Sequence, residues 1–191
     1  MKELENAILE RGRAIGTDIL LVDSFLNHQV DVSLMKDVGE EFAKQFADLK
    51  IDRVATIESS GIAPAAFTAL RLNVPLVIMK KQNSKILTGD LLSTEVISYT
   101  KGTKYNLTVK RDFMPEGDSV LFIDDFLASG EAAFGARRVI EQAGAKLAGV
   151  GIVIEKSFQP GPQRLREEGI RLCSLAMVSS MADGKIEFKE S

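Results

Sequence analysis

Apolar positions along the chain follow two rhythms, one helical and one strand-like. Lys2 to about Arg13 carries Leu4 and Ile8 at helical spacing and predicts a helix. A short apolar strand follows at Ile19 to Val22, within "TDILLVDSFLNHQV". Leu34, Val38, Phe42 and Phe46 then share one helical face, in a segment that Ser33 can cap and that runs to about Leu49. "RVATIESSG" predicts a strand running into a polar loop, and Pro64 suits the first turn of a helix to about Leu72. "VPLVIMKK" predicts a buried strand, and Gln82 to Leu92 is polar and irregular. "TEVISYT" and "KYNLTVK" predict a hairpin turned around Lys101–Gly102–Thr103.

The second half sharpens the pattern. "SVLFIDDFLASGEAAFG" is an apolar run, Val120 to Ile123, that meets two aspartates, a small-residue segment and a helix ending near Gly144. "LAGVGIVIEKSF" predicts another buried strand, Pro160 to Glu168 a short helix, and "IRLCSLAMV" the last clear strand. Helical and strand patterns alternate, and the strands are nearly continuous in apolar character. That order predicts an α/β fold with a central, mostly parallel sheet flanked by helices. Ligands of such sheets bind at the carboxyl ends of the strands.

Composition narrows the class. The 191 residues fit a single domain, 1–191, with 45% hydrophobic and 27% charged residues and a net charge of −3. That balance gives no reason to expect nucleic-acid binding, although Lys80–Lys81 and Lys110–Arg111 form short basic clusters. One cysteine, Cys173, excludes an internal disulfide and reads as a buried structural thiol. The charged start "MKELENAILERG" and the lack of an apolar run near the ~20 residues of a membrane helix lead us to expect a cytoplasmic protein without membrane contact.

Three loops lie where chemistry is expected: Glu58–Gly61, Lys80–Lys85 and Asp124–Ala132. In the third, Ala128, Ser129 and Gly130 lead into a helix, whose free N–H groups and positive dipole end suit a phosphate. No Walker-type GxxxxGK[ST] occurs. Carboxylates accept hydrogen bonds from hydroxyls, so acids beside a phosphate loop fit a ribose 5-phosphate. An arbitrary Asp-Asp pair is more often a solvated turn, with a serine such as Ser129 as helix cap. The apolar strand before this pair and the small loop after it favour a site.

"VLFIDDFLASGEA" resembles the phosphoribosyl-pyrophosphate signature of type I phosphoribosyltransferases: four apolar residues, two acids, two apolar residues, then small and hydroxyl residues around glycine. Phe126 is bulkier than most members carry, and Ala132 replaces a common threonine. The likeness extends through "VDSFLNHQ", "TIESSGIAPA" and "AGVGIVIEKSFQPG" to almost the whole chain, which is similar to the bacterial xanthine phosphoribosyltransferases. The resemblance implies the type I phosphoribosyltransferase fold, with a flexible hairpin loop and a base-recognition hood from residues 1–32 and 155–191. It implies transfer of 5-phosphoribosyl from phosphoribosyl pyrophosphate to N9 of xanthine in purine salvage, with Mg²⁺, in a homodimer. Alternatives are a broader transferase for guanine and hypoxanthine, or a non-catalytic purine regulator that senses phosphoribosyl pyrophosphate.

The same resemblance assigns residues. Asp124 and Asp125 match the ribose-binding acids. Ala128, Ser129, Gly130, Glu131 and Ala132 match the segment that takes phosphoribosyl pyrophosphate, and Glu58, Ser59, Ser60 and Gly61 match the pyrophosphate loop. Lys81 either reaches the pyrophosphate, across a dimer, or is solvated. Base contacts fall on Leu20, Asn27 and Lys156. Lys156 only donates hydrogen bonds, which suits a 6-oxo group and not the 6-amino group of adenine. Asn27 offers a donor and an acceptor, whereas Leu20 offers packing or backbone alone. Phe158 either stacks on the base or belongs to the core, and His28 is a weaker candidate base. No metal site built from protein ligands is expected, because Mg²⁺ of this kind sits mainly on substrate phosphates. A closing loop from Gln82 to about Ser98 would keep water from the reacting ribose.

Overall fold

A computed structural model describes residues 1–81, 89–98 and 102–189. Its centre is a six-stranded sheet made of β3 (Arg53–Ile57), β4 (Leu76–Met79), β7 (Ser119–Leu127), β8 (Lys146–Lys156), β9 (Leu172–Ser180) and β10 (Glu187–Phe188). The order is β10-β9-β8-β7-β3-β4, parallel throughout except for β10. The near-continuous apolar strands have a direct cause: both faces of the sheet are covered. Along β7, Leu121 and Ile123 face one core, with α1 (Lys2–Arg11), α2 (Val32–Gln45) and α3 (Ile62–Leu72). Val120 and Phe122 face the other, with α4 (Glu131–Gln142) and Leu165 of α5 (Gly161–Glu167).

Among the described residues, two small antiparallel pairs accompany the sheet. β1 (Arg13–Ile15) pairs with β2 (Ile19–Leu21), and β5 (Leu91–Ser98) pairs with β6 (Thr103–Lys110). The hairpin packs over α4, where Arg138 donates to Thr94 Oγ1 and to the Glu95 carbonyl.

Several expectations need correction. The cap of α2 is Asp31, whose Oδ1 accepts from the Leu34 N–H at 3.2 Å, and not Ser33. A carboxylate three residues before that N–H has the reach an N-cap needs. The helix stops at Gln45, short of Leu49. β4 is an edge strand with alternating burial, not a doubly covered one. β7 does not end at the aspartates: its pairing with β8 continues through Asp124 to Leu127, so both acids lie within a strand. Of the expected closing loop, 82–88 lies outside the described residues, and Leu91–Ser98 is the regular strand β5. Cys173 is only partly buried; burial, with Glu41 nearby, pushes its thiol up to about 11.

The topology places the site. β3 leads outward to β4 on one side, whereas β7, β8 and β9 extend on the other. The crevice beyond β3 and β7 is therefore the switch point where an open α/β sheet holds its ligand.

Candidate active site

Two loops flank that crevice, one after β3 and one after β7. A cavity of about 120 Å³ is lined by Glu58, Ser59 and Ser60 from the first and by Asp124 and Asp125 from the second. Lys81 and Tyr105 line the same wall. A contiguous cleft of about 220 Å³ shares Lys81, Tyr105, Asp124 and Asp125, and runs along Ala128–Ala132 to the start of α4. The two acids thus open onto the same space as the small-residue loop. Gly130, at φ +88°, makes the turn into α4 in the left-handed region that glycine tolerates. The first N–H groups of α4 have no intrahelical acceptor, and Glu131 N–H makes only a long 3.5 Å contact to Ser129 Oγ.

The acids differ in environment. Asp124 is only 8% exposed. Burial and the neighbouring Asp125 carboxylate raise its carboxyl well above the ordinary range. Its Oδ1 accepts from the Asp125 N–H at 3.0 Å. Asp125 is more open: Oδ1 accepts from the Phe126 N–H at 2.9 Å, and Oδ2 from Asn27 Nδ2 at 3.1 Å. Gly61 lies below this pair. A Cβ there would run into Thr56 Oγ1 and stand 2.8 Å from Asp124 Oδ1. Among the described residues, Thr56 Oγ1 is itself buried without a partner.

The first loop is fastened by its acid. Glu58 Oε2 accepts from Lys80 Nζ at 3.2 Å and Oε1 from the Lys81 N–H at 2.7 Å. Burial alone would raise the Glu58 carboxyl; these two partners outweigh it and hold it below its ordinary value. Glu58 therefore faces the lysines, and its charge is compensated before any anion enters. Lys81 Nζ stays exposed to the cleft, 5.8 Å from the centre of the Tyr105 ring. Burial, Asp124 and Glu131 raise the Tyr105 hydroxyl.

Asn27 and Lys156 approach the acids from the far side. Asn27 ends a π-type turn, Asp23–Asn27, that carries it to Asp125. Lys156 ends β8, donates to the Asp18 carbonyl, and sits 5.4 Å from the centre of the Phe126 ring. Burial lowers its ammonium, against the pull of Asp18 and Asp125. Leu20, on β2, is buried in the core. Phe158 is 41% exposed and His28 is exposed, so neither is a core residue.

The model of the phosphoribosyl transferase domain matches residues 29–167.

The chain belongs to that family.

Its phosphoribosyltransferase relatives include a protein of Clostridium botulinum strain Eklund 17B named xanthine phosphoribosyltransferase, 55% identical over the full length of both chains. One of Oceanobacillus iheyensis with the same name is 54% identical, over 100% of this chain and 98% of its own. Among solved structures, the adenine phosphoribosyltransferase of Giardia lamblia complexed with 9-deazaadenine superposes with a TM-score of 0.77 at 22% identity. That superposition covers 91% of this chain and 97% of the other, and at this identity it speaks to the fold. The architecture is the type I phosphoribosyltransferase fold, and the regulator alternative loses its basis.

Tyr105 and Thr56 were not foreseen. An apolar–polar alternation in "KYNLTVK" marks a strand but not the cleft its tyrosine lines. The threonine in "RVATIESS" was the one legible signal, a polar residue in a buried strand.

Proposed function

We propose that this chain is a xanthine phosphoribosyltransferase: it transfers 5-phosphoribosyl from phosphoribosyl pyrophosphate to N9 of xanthine, giving xanthosine 5′-monophosphate and pyrophosphate. The observation that carries the reading is the convergence at Asp125. The acid pair opens on one side to the Ala128–Ala132 loop and meets Asn27 on the other. A base at Asn27 and Lys156, a ribose at the acids and a phosphate at the start of α4 fall in the order of a nucleotide. The named relatives at 54–55% identity support xanthine as the base.

In this reading the residues bind, orient and compensate charge. Ala128, Ser129, Gly130, Glu131 and Ala132 hold the 5′-phosphate through N–H groups and the Ser129 hydroxyl. Asp124 and Asp125 take the ribose hydroxyls and face the positive charge that develops at C1′ as its bond to pyrophosphate breaks. Ser59, Ser60 and Gly61, fastened by Glu58, and Lys81 receive the departing pyrophosphate. Lys156 donates to the 6-oxo group and Asn27 reads the neighbouring edge, while Leu20 packs behind. N9 forms the new bond with inversion at C1′, and the purine proton leaves to solvent, since Ala128 offers no carboxylate. A hood from residues 1–32 and 155–191 of the 1–191 domain is supported by two contacts: Lys156 donates to the Asp18 carbonyl, and the Met1 amino group to the Leu175 carbonyl.

The donor set suits Mg²⁺ carried on substrate oxygens. Among the described residues no three His, Cys, Asp or Glu are grouped to hold a metal alone. Two adjacent carboxylates, one of them strained by burial, would welcome a cation that arrives with the pyrophosphate. Such an ion supplies charge neutralisation for the leaving group. We also infer a homodimer that works in the cytoplasm. Among the described residues no helix is long and apolar enough to cross a membrane.

The test is a product assay with phosphoribosyl pyrophosphate, Mg²⁺ and each of xanthine, guanine, hypoxanthine and adenine. Xanthosine monophosphate should form fastest, and adenine should not react. Preferred use of guanine would favour a broader 6-oxopurine enzyme, and use of adenine would overturn the role of Lys156.

A further inference from the structure

The loop Ala128–Gly130 is held from behind by α5. Gly161 N–H donates to the Ala128 carbonyl at 2.9 Å. Arg164 Nη1 donates to the Ser129 carbonyl at 2.8 Å and to Glu131 Oε1 at 2.8 Å. Its guanidinium stands 4.7 Å from the centre of the Phe134 ring. Two successive loop carbonyls are therefore turned toward α5. A carbonyl facing the cleft would repel a phosphate; one fixed on the far side leaves the N–H groups to the ligand.

The contact has no slack. A Cβ on Gly161 would meet the Ala128 carbonyl oxygen and stand 2.6 Å from the Gly130 nitrogen. α5 is itself anchored by consecutive residues. Leu165 is fully buried, and Arg166 Nη2 reaches Glu155 Oε2 at 3.1 Å. Glu155 is 0% exposed and also accepts from Ser157 Oγ at 2.6 Å and Ser174 Oγ at 2.7 Å. It precedes Lys156 on β8.

We propose that Arg164 is a positioning residue for the 5′-phosphate: it holds the Ser129 carbonyl and the Glu131 carboxylate on the α5 side, so that the loop presents N–H groups to the cleft before substrate arrives. The inference rests on reading Ala128–Ala132 as the 5′-phosphate site. The clamp acts in two ways. It fixes the peptide orientation, and it compensates Glu131, whose carboxylate would otherwise oppose an incoming dianion. Through Gly161 and Glu155 the same helix joins the phosphate loop to the strand end that bears Lys156. Arg164 and Glu131 side chains are 43% and 29% exposed, so the ion pair adds little to global stability. Its loss should therefore appear in phosphate affinity and not in melting temperature.

Arg164→Ala, Arg164→Lys and Ser129→Asp test this in the full chain. Arg164→Ala should raise KM for phosphoribosyl pyrophosphate and Kd for xanthosine 5′-monophosphate about tenfold, the scale of a charge-assisted hydrogen bond. KM for xanthine and Kd for xanthosine, which lacks the phosphate, should stay within about twofold, and the melting temperature within about 2 °C. Arg164→Lys should restore part of the loss. Ser129→Asp puts a charge in the loop and should abolish binding of the phosphorylated ligands. If Ser129→Asp binds them normally, the phosphate reading of the loop falls, and the clamp with it. If Ser129→Asp abolishes binding but Arg164→Ala changes nothing, the clamp alone is overturned. Equal losses for phosphorylated and unphosphorylated ligands, with a lower melting temperature, would show a merely structural role and also overturn it.

Discussion

Replacing Asp125 by asparagine keeps the side-chain volume and removes one charge at the centre of the site. The wild-type carboxylate holds the Phe126 N–H at 2.9 Å and Asn27 Nδ2 at 3.1 Å. The amide oxygen of Asp125→Asn can keep the first bond, but its NH₂ then faces the Asn27 NH₂, donor against donor. Two effects follow from the proposed roles. The ribose would lose a charged acceptor, and Asn27 would lose the partner proposed to aim it at the base. One charged hydrogen bond contributes about 1.5–3 kcal/mol, a factor of about 10–150 in kcat/KM for phosphoribosyl pyrophosphate. The Asn27 contact adds a coupling of about 0.5–3 kcal/mol, as expected for touching residues. Steady-state formation of xanthosine monophosphate gives the first number, and a double-mutant cycle of Asp125→Asn with Asn27→Ala gives the second. The assigned role is refuted if kcat/KM stays within about threefold of wild type in a folded variant, since even the low end of that range is about tenfold.

Three further outcomes are expected. The Asp124 carboxyl is raised on folding, so its cost to stability is absent below the ordinary carboxylate range and grows as pH rises through the raised value. Asp124→Asn should therefore raise the melting temperature at about pH 8 and not at about pH 3, while turnover falls; a gain at both pH values would point to another cause. Gly61→Ala drives a Cβ against Thr56 Oγ1 and Asp124 Oδ1, which should cost about 1–3 kcal/mol and lower the melting temperature by about 2–12 °C. Thr56→Ala should relieve part of that loss in the double variant, and strict additivity by calorimetry would place the strain elsewhere. Lys156→Ala should weaken xanthine by about 1.5–3 kcal/mol with KM for phosphoribosyl pyrophosphate nearly unchanged; a loss shared by both substrates would contradict a base contact.

Much of the fold was legible because periodicity reports which faces are covered. The alternation of β3, α3, β4, then β7, α4, β8 reads directly as crossover units of a parallel sheet. What periodicity does not report is order across the sheet, so β4 was expected only as a buried strand and its place at the edge was not legible. The acids of "FIDDFL" were found because carboxylates after an apolar run are costly to bury, and the buried Asp124 carries that cost. Glu155, in "GIVIEK", breaks its strand in the same way and went unread, because its compensation comes from Arg166, Ser157 and Ser174. Arg164 gave no signal at all. Its partners lie 33 and 35 residues away, and only the packing of α5 against the loop brings them together. The contacts of Glu58 were not legible either: its two oxygens accept from Lys80 Nζ and the Lys81 N–H, across 22 and 23 residues of chain.

In the proposed reading, base, ribose and phosphate lie in that order between Asn27 and the start of α4. A crystal structure with xanthosine 5′-monophosphate measures this directly. The phosphate should lie on the N–H groups of Ala128–Ala132, the ribose hydroxyls on Asp124 and Asp125, and the purine 6-oxo group on Lys156. A nucleotide bound with its phosphate against Glu58–Gly61, or with its base remote from Asn27 and Lys156, would contradict it.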